Sequence, residues 1–208
     1  GVALTGNLGV TVSNHGAFVE GNIRLPGSLA SLSVKGQITD EGILLEGEGE
    51  VRIKFADGAT LLAYLKVKAS SKEGVFLDGK LKTPLQVAMV SVKGEVSARG
   101  LLLQGTIAGK IDFGVTKLQS NLSLHASTWN GAILSGMIDV PLVIIGGNIS
   151  VSGEIFTENL FKLTGSTSAF IDLKVVSTTA KVHFGFSQSE IDIGASAEFC
   201  ITEICDTV

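Results

Sequence analysis

Apolar and polar residues alternate along most of this chain with a period of two. In VKGEVSARGLLLQGTIAGKIDF, residues 92–113, small or apolar side chains take every second position, and polar ones take most of the positions between. Such alternation predicts half-buried strands, and a glycine at the turn, here Gly100, supplies the positive φ that tight hairpins need. No segment shows a convincing period of 3.6 residues. The sequence therefore predicts antiparallel β-structure throughout.

One six-residue phrase recurs: a glycine, three mainly apolar residues, a variable residue and a second glycine. It reads GAFVEG, GILLEG, GVFLDG, GLLLQG and GAILSG from residues 16, 42, 74, 100 and 131, with weaker copies LFKLTG at 160 and SEIDIG at 189. The first, third and fifth copies lead to Pro26, Pro84 and Pro141, the only prolines, whereas the second and fourth follow VKG. The better period is therefore two hairpins, or 57–60 residues, which is typical of a repeat architecture.

The expected fold is all-β, with about 14 long antiparallel strands in seven consecutive hairpins. Strands with one apolar face must cover it, so the sheet is expected to be rolled or two-layered around an apolar interior. The predicted organisation is a single elongated repeat domain, 1–208, made of a half-repeat 1–28 and repeats 29–86, 87–144 and 145–203. Because the chain starts and stops within a repeat, we expect it to be a piece of a longer array.

The second glycine of each phrase falls on the apolar face. A glycine fixed at such a position usually marks a bend or a close approach of two backbones, because glycine otherwise weakens a strand. These predicted structural glycines are Gly21, Gly47, Gly79, Gly105, Gly136, Gly165 and Gly194.

Composition narrows the classes of partner. The net charge is −4 with dispersed signs, which argues against nucleic acid, because nucleic acid needs a basic stripe. With one Trp and one Tyr, a typical sugar- or base-stacking surface is also hard to build. Only 17% of the residues are charged, which makes the chain unusually apolar. Its longest apolar run, residues 140–147, is nevertheless far shorter than the roughly 18 residues of a membrane-spanning helix.

No catalytic or metal-binding pattern stands out, so the chain is predicted not to be an enzyme and to need no cofactor. The segment GTIAGKI, residues 105–111, departs from a phosphate-binding loop in its glycine spacing and lacks the Ser or Thr after Lys. The acidic run from Glu46 to Glu50 is followed by Arg52 and Lys54, which favours a solvated strand face over a calcium site.

Two pairs of residues bear on the compartment. Cys200 and Cys205 are the only cysteines, and a turn between them would bring them within disulfide range, whereas the lack of nearby His disfavours zinc. Asn121 in NLS and Asn148 in NIS are candidate glycosylation sites. The sequence therefore favours a secreted or extracellular protein.

Two functions are compatible with an aliphatic, glycine-bent β-surface. The first is a non-enzymatic protein that binds or carries lipid or another elongated apolar ligand along its apolar face. The predicted lining residues are Ile53, Val92, Leu103, Ile107, Ile111, Leu134, Ile138 and Ile149. The alternative is an extracellular structural or adhesive repeat protein that forms homo-oligomers or larger assemblies through sheet edges or repeat ends. A filled core with large side chains opposite each glycine would favour the alternative.

Overall fold

The computed structural model describes residues 4–83, 89–112, 117–140, 147–157, 160–172, 177–187, 191–201 and 204–207. These residues form fifteen strands in one sheet, and no helix occurs among them. Each strand pairs antiparallel with its neighbours in the chain, so the strand order in the sheet is the order in the sequence. The described chain is therefore a meander of hairpins.

The strand bounds follow the repeated phrase, because the second strand of each complete copy begins at its first glycine. The first eight strands are β1 (Thr5–Ser13), β2 (Gly16–Arg24), β3 (Leu32–Thr39), β4 (Gly42–Lys54), β5 (Thr60–Ser70), β6 (Gly74–Leu81), β7 (Val90–Ser97) and β8 (Gly100–Asp112). The others are β9 (Lys117–Ser127), β10 (Gly131–Val140), β11 (Gly147–Thr157), β12 (Leu160–Asp172), β13 (Ser177–Ser187), β14 (Ile191–Ile201) and β15 (Ile204–Thr207).

The predicted all-β fold of consecutive antiparallel hairpins is confirmed. Seven hairpins account for β1 to β14, and the four-residue strand β15 is an addition that the repeated phrase does not indicate. The rolled or two-layered form of the sheet and the boundaries of the repeats stay predictions.

Each of the first five hairpins has a Ser or Thr as the last residue of its first strand. A backbone N–H two or three residues later donates to that hydroxyl, which fixes the turn. The pairs are His15 to Ser13, Glu41 to Thr39, Lys72 to Ser70, Arg99 to Ser97 and Asn130 to Ser127. A glycine with positive φ then begins the second strand, for example Gly100 at +125°.

The third and fifth hairpins have a longer turn that binds the hairpin before it. Ser71 accepts a hydrogen bond from the Ile43 N–H at 3.1 Å, and its own N–H donates to the Ile43 carbonyl at 3.0 Å. Thr128 makes the same two bonds to Leu101, at 3.1 and 3.0 Å. The period of two hairpins in the sequence thus has a counterpart in recurring contacts.

The core lies on one face of the sheet. In β5, Leu61, Ala63, Leu65 and Val67 are at most 2% exposed, whereas Tyr64 between them is 44% exposed. Burying each Leu or Val side chain stabilises the fold by about 1.5–3 kcal/mol relative to leaving it in water. The alternation seen in the sequence is therefore the division between core and solvent.

Glycines of the apolar face stand beside large residues across the strands. Gly79, for example, pairs with Leu65 on one side and Val92 on the other. A Cβ added at Gly79 would overlap the Tyr64 carbonyl oxygen and lie 3.0 Å from Leu65 Cα. An added Cβ would likewise overlap a neighbouring backbone oxygen at four further positions, which are Gly21, Gly47, Gly105 and Gly136. At Gly194 the added Cβ would meet nothing within 4 Å, so this glycine makes no close approach of the predicted kind.

Two contacts join strands that are distant in sequence. Thr60 at the start of β5 pairs in parallel with Thr157 at the end of β11. In the loop before β5, Asp57 Oδ2 accepts a hydrogen bond from the Ala132 N–H of β10 at 2.8 Å, while Oδ1 accepts one from the Ala59 N–H at 2.9 Å. The β4–β5 loop therefore contacts the β9–β10 hairpin, and the start of β5 contacts the end of β11.

Candidate functional site

The predicted lining residues of an apolar groove lie in the buried core. All of those with described side chains are at most 2% exposed: Ile53, Val92, Leu103, Ile107, Ile111, Leu134 and Ile138. The backbone of Ile149 pairs with Ile138, and its side chain lies outside the described residues. Protein atoms alone thus cover the surface on which the sequence placed an elongated ligand.

The apolar face is open at the N-terminal end of the sheet. Strand β1 repeats the alternation of the buried strands, yet Leu8, Val10 and Val12 are 44%, 57% and 77% exposed. Ile38 of β3 and Ile43 of β4 extend this open area, because they pair with one another and Ile38 also pairs with Ala17, the partner of Val12. We call these five residues, Leu8, Val10, Val12, Ile38 and Ile43, the open apolar patch.

Strand β1 also presents a free edge. Within the described residues it pairs only with β2, so one side of its backbone has no strand partner. Its sequence, TGNLGVTVS, contains no charged residue and no proline. Edge strands usually carry such residues, which prevent pairing with a second chain. β1 therefore combines an unpaired backbone, an exposed apolar face and no protective residue.

The opposite, polar face carries a row of directly paired side chains that crosses six strands, from β4 to β9. The members of this cross-strand row are Glu48, Lys66, Asp78, Lys93, Gln104 and His125. Lys66 Nζ lies 3.6 Å from Glu48 Oε2, and Gln104 Nε2 lies 3.0 Å from His125 Nε2. Both ion-pair partners are more than 70% exposed, so the pair contributes little stability.

Two cavities flank the cross-strand row. One, of about 740 Å³, lies over β4–β7 between the row and the side chains of Glu46, Lys68 and Phe76. The other, of about 620 Å³, lies over β6–β9 on the opposite side of the row, beside Ser91, Thr106 and Ser123. Both cavities touch Asp78 and Lys93, so together they run obliquely across the sheet.

Beside the cross-strand row, Glu50 raises the pKa of the Tyr64 phenol. Tyr64 and Glu50 are direct partners on β5 and β4. The hydrogen bond from the phenol to the Glu50 carboxylate, together with the charge of that carboxylate, raises the pKa of Tyr64 above its ordinary value of 10.0. The phenol is therefore held protonated on the polar face.

The other predicted site residues occupy separate places. Asn121 lies on the exposed face of β9, whereas Asn148 is in β11 with its side chain outside the described residues. Cys200 and Cys205 are direct backbone partners in the β14–β15 pair, which brings the two residues together, and the disulfide stays a prediction. Gly165 pairs with Val151 on β11 and with Phe184 on β13.

Sequence reasoning missed the open patch and Phe76. The signal for β1 was available, because TGNLGVTVS lacks the charges that alternate along β4 in GILLEGEGEVRIK. For Phe76, which is 46% exposed, the signal was its third place in the phrase GVFLDG, a place that falls on the polar face.

Comparison of the chain with models of known protein families, with curated protein sequences and with solved structures finds no match. In the described part of the chain, no helix has the length and apolar character needed to cross a membrane. No group of three or more His, Cys, Asp or Glu side chains among the described residues is arranged to hold a metal ion.

Proposed function

We propose that this protein is a non-enzymatic, structural β-repeat protein that self-associates through the edge of β1, with a second copy of the chain as partner. The observation that carries the proposal is the unprotected edge of β1, nine residues without charge or proline beside the open apolar patch. Long, apolar, uncharged edge strands are templates for pairing with another chain.

The sequence of β1 suits a symmetric, antiparallel pair. If two copies pair about Gly9, Leu8 of one chain lies opposite Val10 of the other, and Val12 lies opposite Gly6. This register keeps the apolar residues of both copies on one side and Asn7 and Thr11 on the other, which preserves the division between apolar and polar faces. In this register the Leu8 side chain of each copy would contact the Val10 side chain of the other across the new strand pair.

A filled core supports the structural function over lipid carriage. Gly79, for example, stands beside Leu65 and Val92 across the strands, and the predicted lining residues with described side chains are buried by protein. The open apolar patch supports a second candidate, an apolar ligand bound at the N-terminal end of the sheet, because its side chains belong to the apolar face and are exposed to water. Secretion remains part of the proposal, and it is supported by the exposed side chain of Asn121 in the sequon NLS.

Analytical ultracentrifugation of wild type and two variants tests the proposal. Val10→Lys places a charge on the apolar side of the edge strand, whereas the control Asn22→Lys places the same charge at an exposed polar position of β2, away from the edge. We expect wild type and Asn22→Lys to dimerise with similar affinity, and Val10→Lys to sediment as a monomer.

Native mass spectrometry of the same samples separates the two candidates. A dimer that carries nothing after gentle purification supports self-association, whereas a monomer that carries extractable lipid, lost in Val10→Lys, supports the ligand. A wild-type protein that stays monomeric and ligand-free at all accessible concentrations would refute both.

A further inference from the structure

The two cavities of the polar face suggest a second binding surface that is independent of β1. We propose that they form one oblique groove for an extended, neutral glycan chain, which lies over β4–β7 on one side of the cross-strand row, crosses the row at Asp78 and Lys93, and continues over β6–β9 on the other side. This surface is on the opposite face from the open apolar patch, so it goes beyond the self-association proposed above.

The shape of the groove follows from the geometry of the sheet. Outward side chains two residues apart on each strand form its walls, and the backbone of the inward residue between them forms its floor. Gly47 and Gly94 are among these floor residues in the first cavity, and Gly105 is one in the second. The row spans six strands spaced about 4.8 Å apart, or about 24 Å. The wall side chains therefore recur at nearly the length of one pyranose ring in an extended chain.

The charges of the groove favour a neutral ligand. In the first cavity three lysines, Lys66, Lys68 and Lys93, lie among three carboxylates, those of Glu46, Glu48 and Asp78. A polyanion would meet the carboxylates and a polycation would meet the lysines, so neither finds a complementary potential. Alternating donors and acceptors instead suit a ligand whose hydroxyl groups both donate and accept hydrogen bonds.

The second cavity continues the same mixture of polar groups. It shares Asp78 and Lys93 with the first cavity. Its other polar lining groups are hydroxyl, amide and imidazole groups, including those of Thr106, Gln104 and His125. Such groups suit a hydroxyl-rich chain, because they form hydrogen bonds with its hydroxyl groups and require no charge on the ligand. The surface is therefore polar along its whole length and nearly neutral.

Phe76 supplies the apolar contact. Its ring lines the first cavity and is 46% exposed, which leaves an aromatic face available to the C–H face of a sugar ring. The scarcity of Trp and Tyr argued against stacking, but a phenylalanine serves the same purpose. Phe18 has the same place in the first copy of the repeated phrase and is 45% exposed, and it lines neither cavity.

Isothermal titration calorimetry with two neutral β-1,4-linked probes, cellohexaose and chitohexaose, tests the groove. We expect saturable binding of at least one of them, weakened about tenfold by Phe76→Ala and unchanged in the matched control Phe18→Ala. The thermal midpoint of both variants is measured first, and both are expected to match wild type because each ring is exposed. As a second test in the wild-type protein, the matching trisaccharide should bind more weakly than the hexaose.

Several outcomes would overturn the proposal. Absence of saturable binding of both hexaoses would exclude the neutral glycan, and tighter binding of a sulfated polysaccharide would replace it with a polyanion. Equal losses in Phe76→Ala and Phe18→Ala would show that the surface binds without using the groove. Equal affinity of trisaccharide and hexaose would rule out one chain lying across all six strands.

Discussion

The glycines of the apolar face allow one precise test of the fold. Gly79 and Gly194 hold the same place in the repeated phrase, yet an added Cβ overlaps the Tyr64 carbonyl oxygen at the first and meets nothing within 4 Å at the second. Neither glycine has the positive φ that an alanine would avoid, so in the folded state the substitution changes packing and introduces no backbone strain. We predict that Gly79→Ala destabilises the protein strongly and that Gly194→Ala does not.

The magnitude follows from what alanine must displace. Adding a methyl group to a packed site costs about 1–3 kcal/mol, and the upper end applies because a backbone oxygen cannot rotate away. Moving β5 and β6 apart weakens at least one backbone hydrogen bond, at about 1 kcal/mol. The lower flexibility of alanine in the unfolded chain returns about 0.5–1 kcal/mol. The net loss for Gly79→Ala is about 3 kcal/mol, whereas Gly194→Ala should gain about 0.5–1 kcal/mol.

Urea unfolding followed by circular dichroism measures both changes. With a dependence of about 2 kcal/mol per molar urea, Gly79→Ala should lower the midpoint by about 1.5 M. Gly194→Ala should leave the midpoint unchanged or raise it slightly. If the two variants unfold at the same urea concentration, the close approach of the β5 and β6 backbones at Gly79 is wrong.

Two further predictions concern single side chains. An ultraviolet titration of Tyr64, the only tyrosine, should give a pKa above 10.0, and Glu50→Gln should lower it, because the carboxylate bond and charge are removed. Because the pKa of Tyr64 is higher in the folded than in the unfolded protein, this bond stabilises the fold below pH 10, and its contribution is lost as the pH rises through the raised pKa. A Tyr64 titration that Glu50→Gln does not change would contradict the pairing. Asp57→Ala should lower the free energy of unfolding by about 1.5–3 kcal/mol, because it leaves the Ala132 N–H without its charged acceptor. The control Asp40→Ala, at an exposed turn residue, should change it by no more than about 0.5 kcal/mol. Equal losses in urea unfolding would argue against the Asp57 contact.

The sequence was sufficient for local structure because local structure depends on neighbouring residues. Alternation in VKGEVSARGLLLQG gave the strands and the turn, and Gly100 begins β8 as the repeated phrase indicated. The pairing of β7 with β8 follows from that turn, because a short connection leaves antiparallel pairing as the simplest arrangement.

The sequence was insufficient wherever burial depends on a distant strand. Val10 and Leu65 have similar alternating surroundings, but Val10 is 57% exposed and Leu65 is 1% exposed. Nothing in the sequence around Asp57 indicates its contact, because its partner Ala132 lies 75 residues later. The contrast between Gly79 and Gly194 has the same origin. The repeated phrase is the same at both, but the neighbouring backbone approaches closely only at Gly79.

The contact between Asp57 and Ala132 also bears on the order in which the chain folds. The antiparallel strand pairs join neighbours in sequence, so hairpins can form one after another as the chain emerges, with little loop entropy to overcome. The β4–β5 loop, by contrast, cannot make the bond between Asp57 and the Ala132 N–H until β10 exists. We therefore expect an early, hairpin-rich intermediate that becomes protected against proteolysis only when the β9–β10 hairpin arrives.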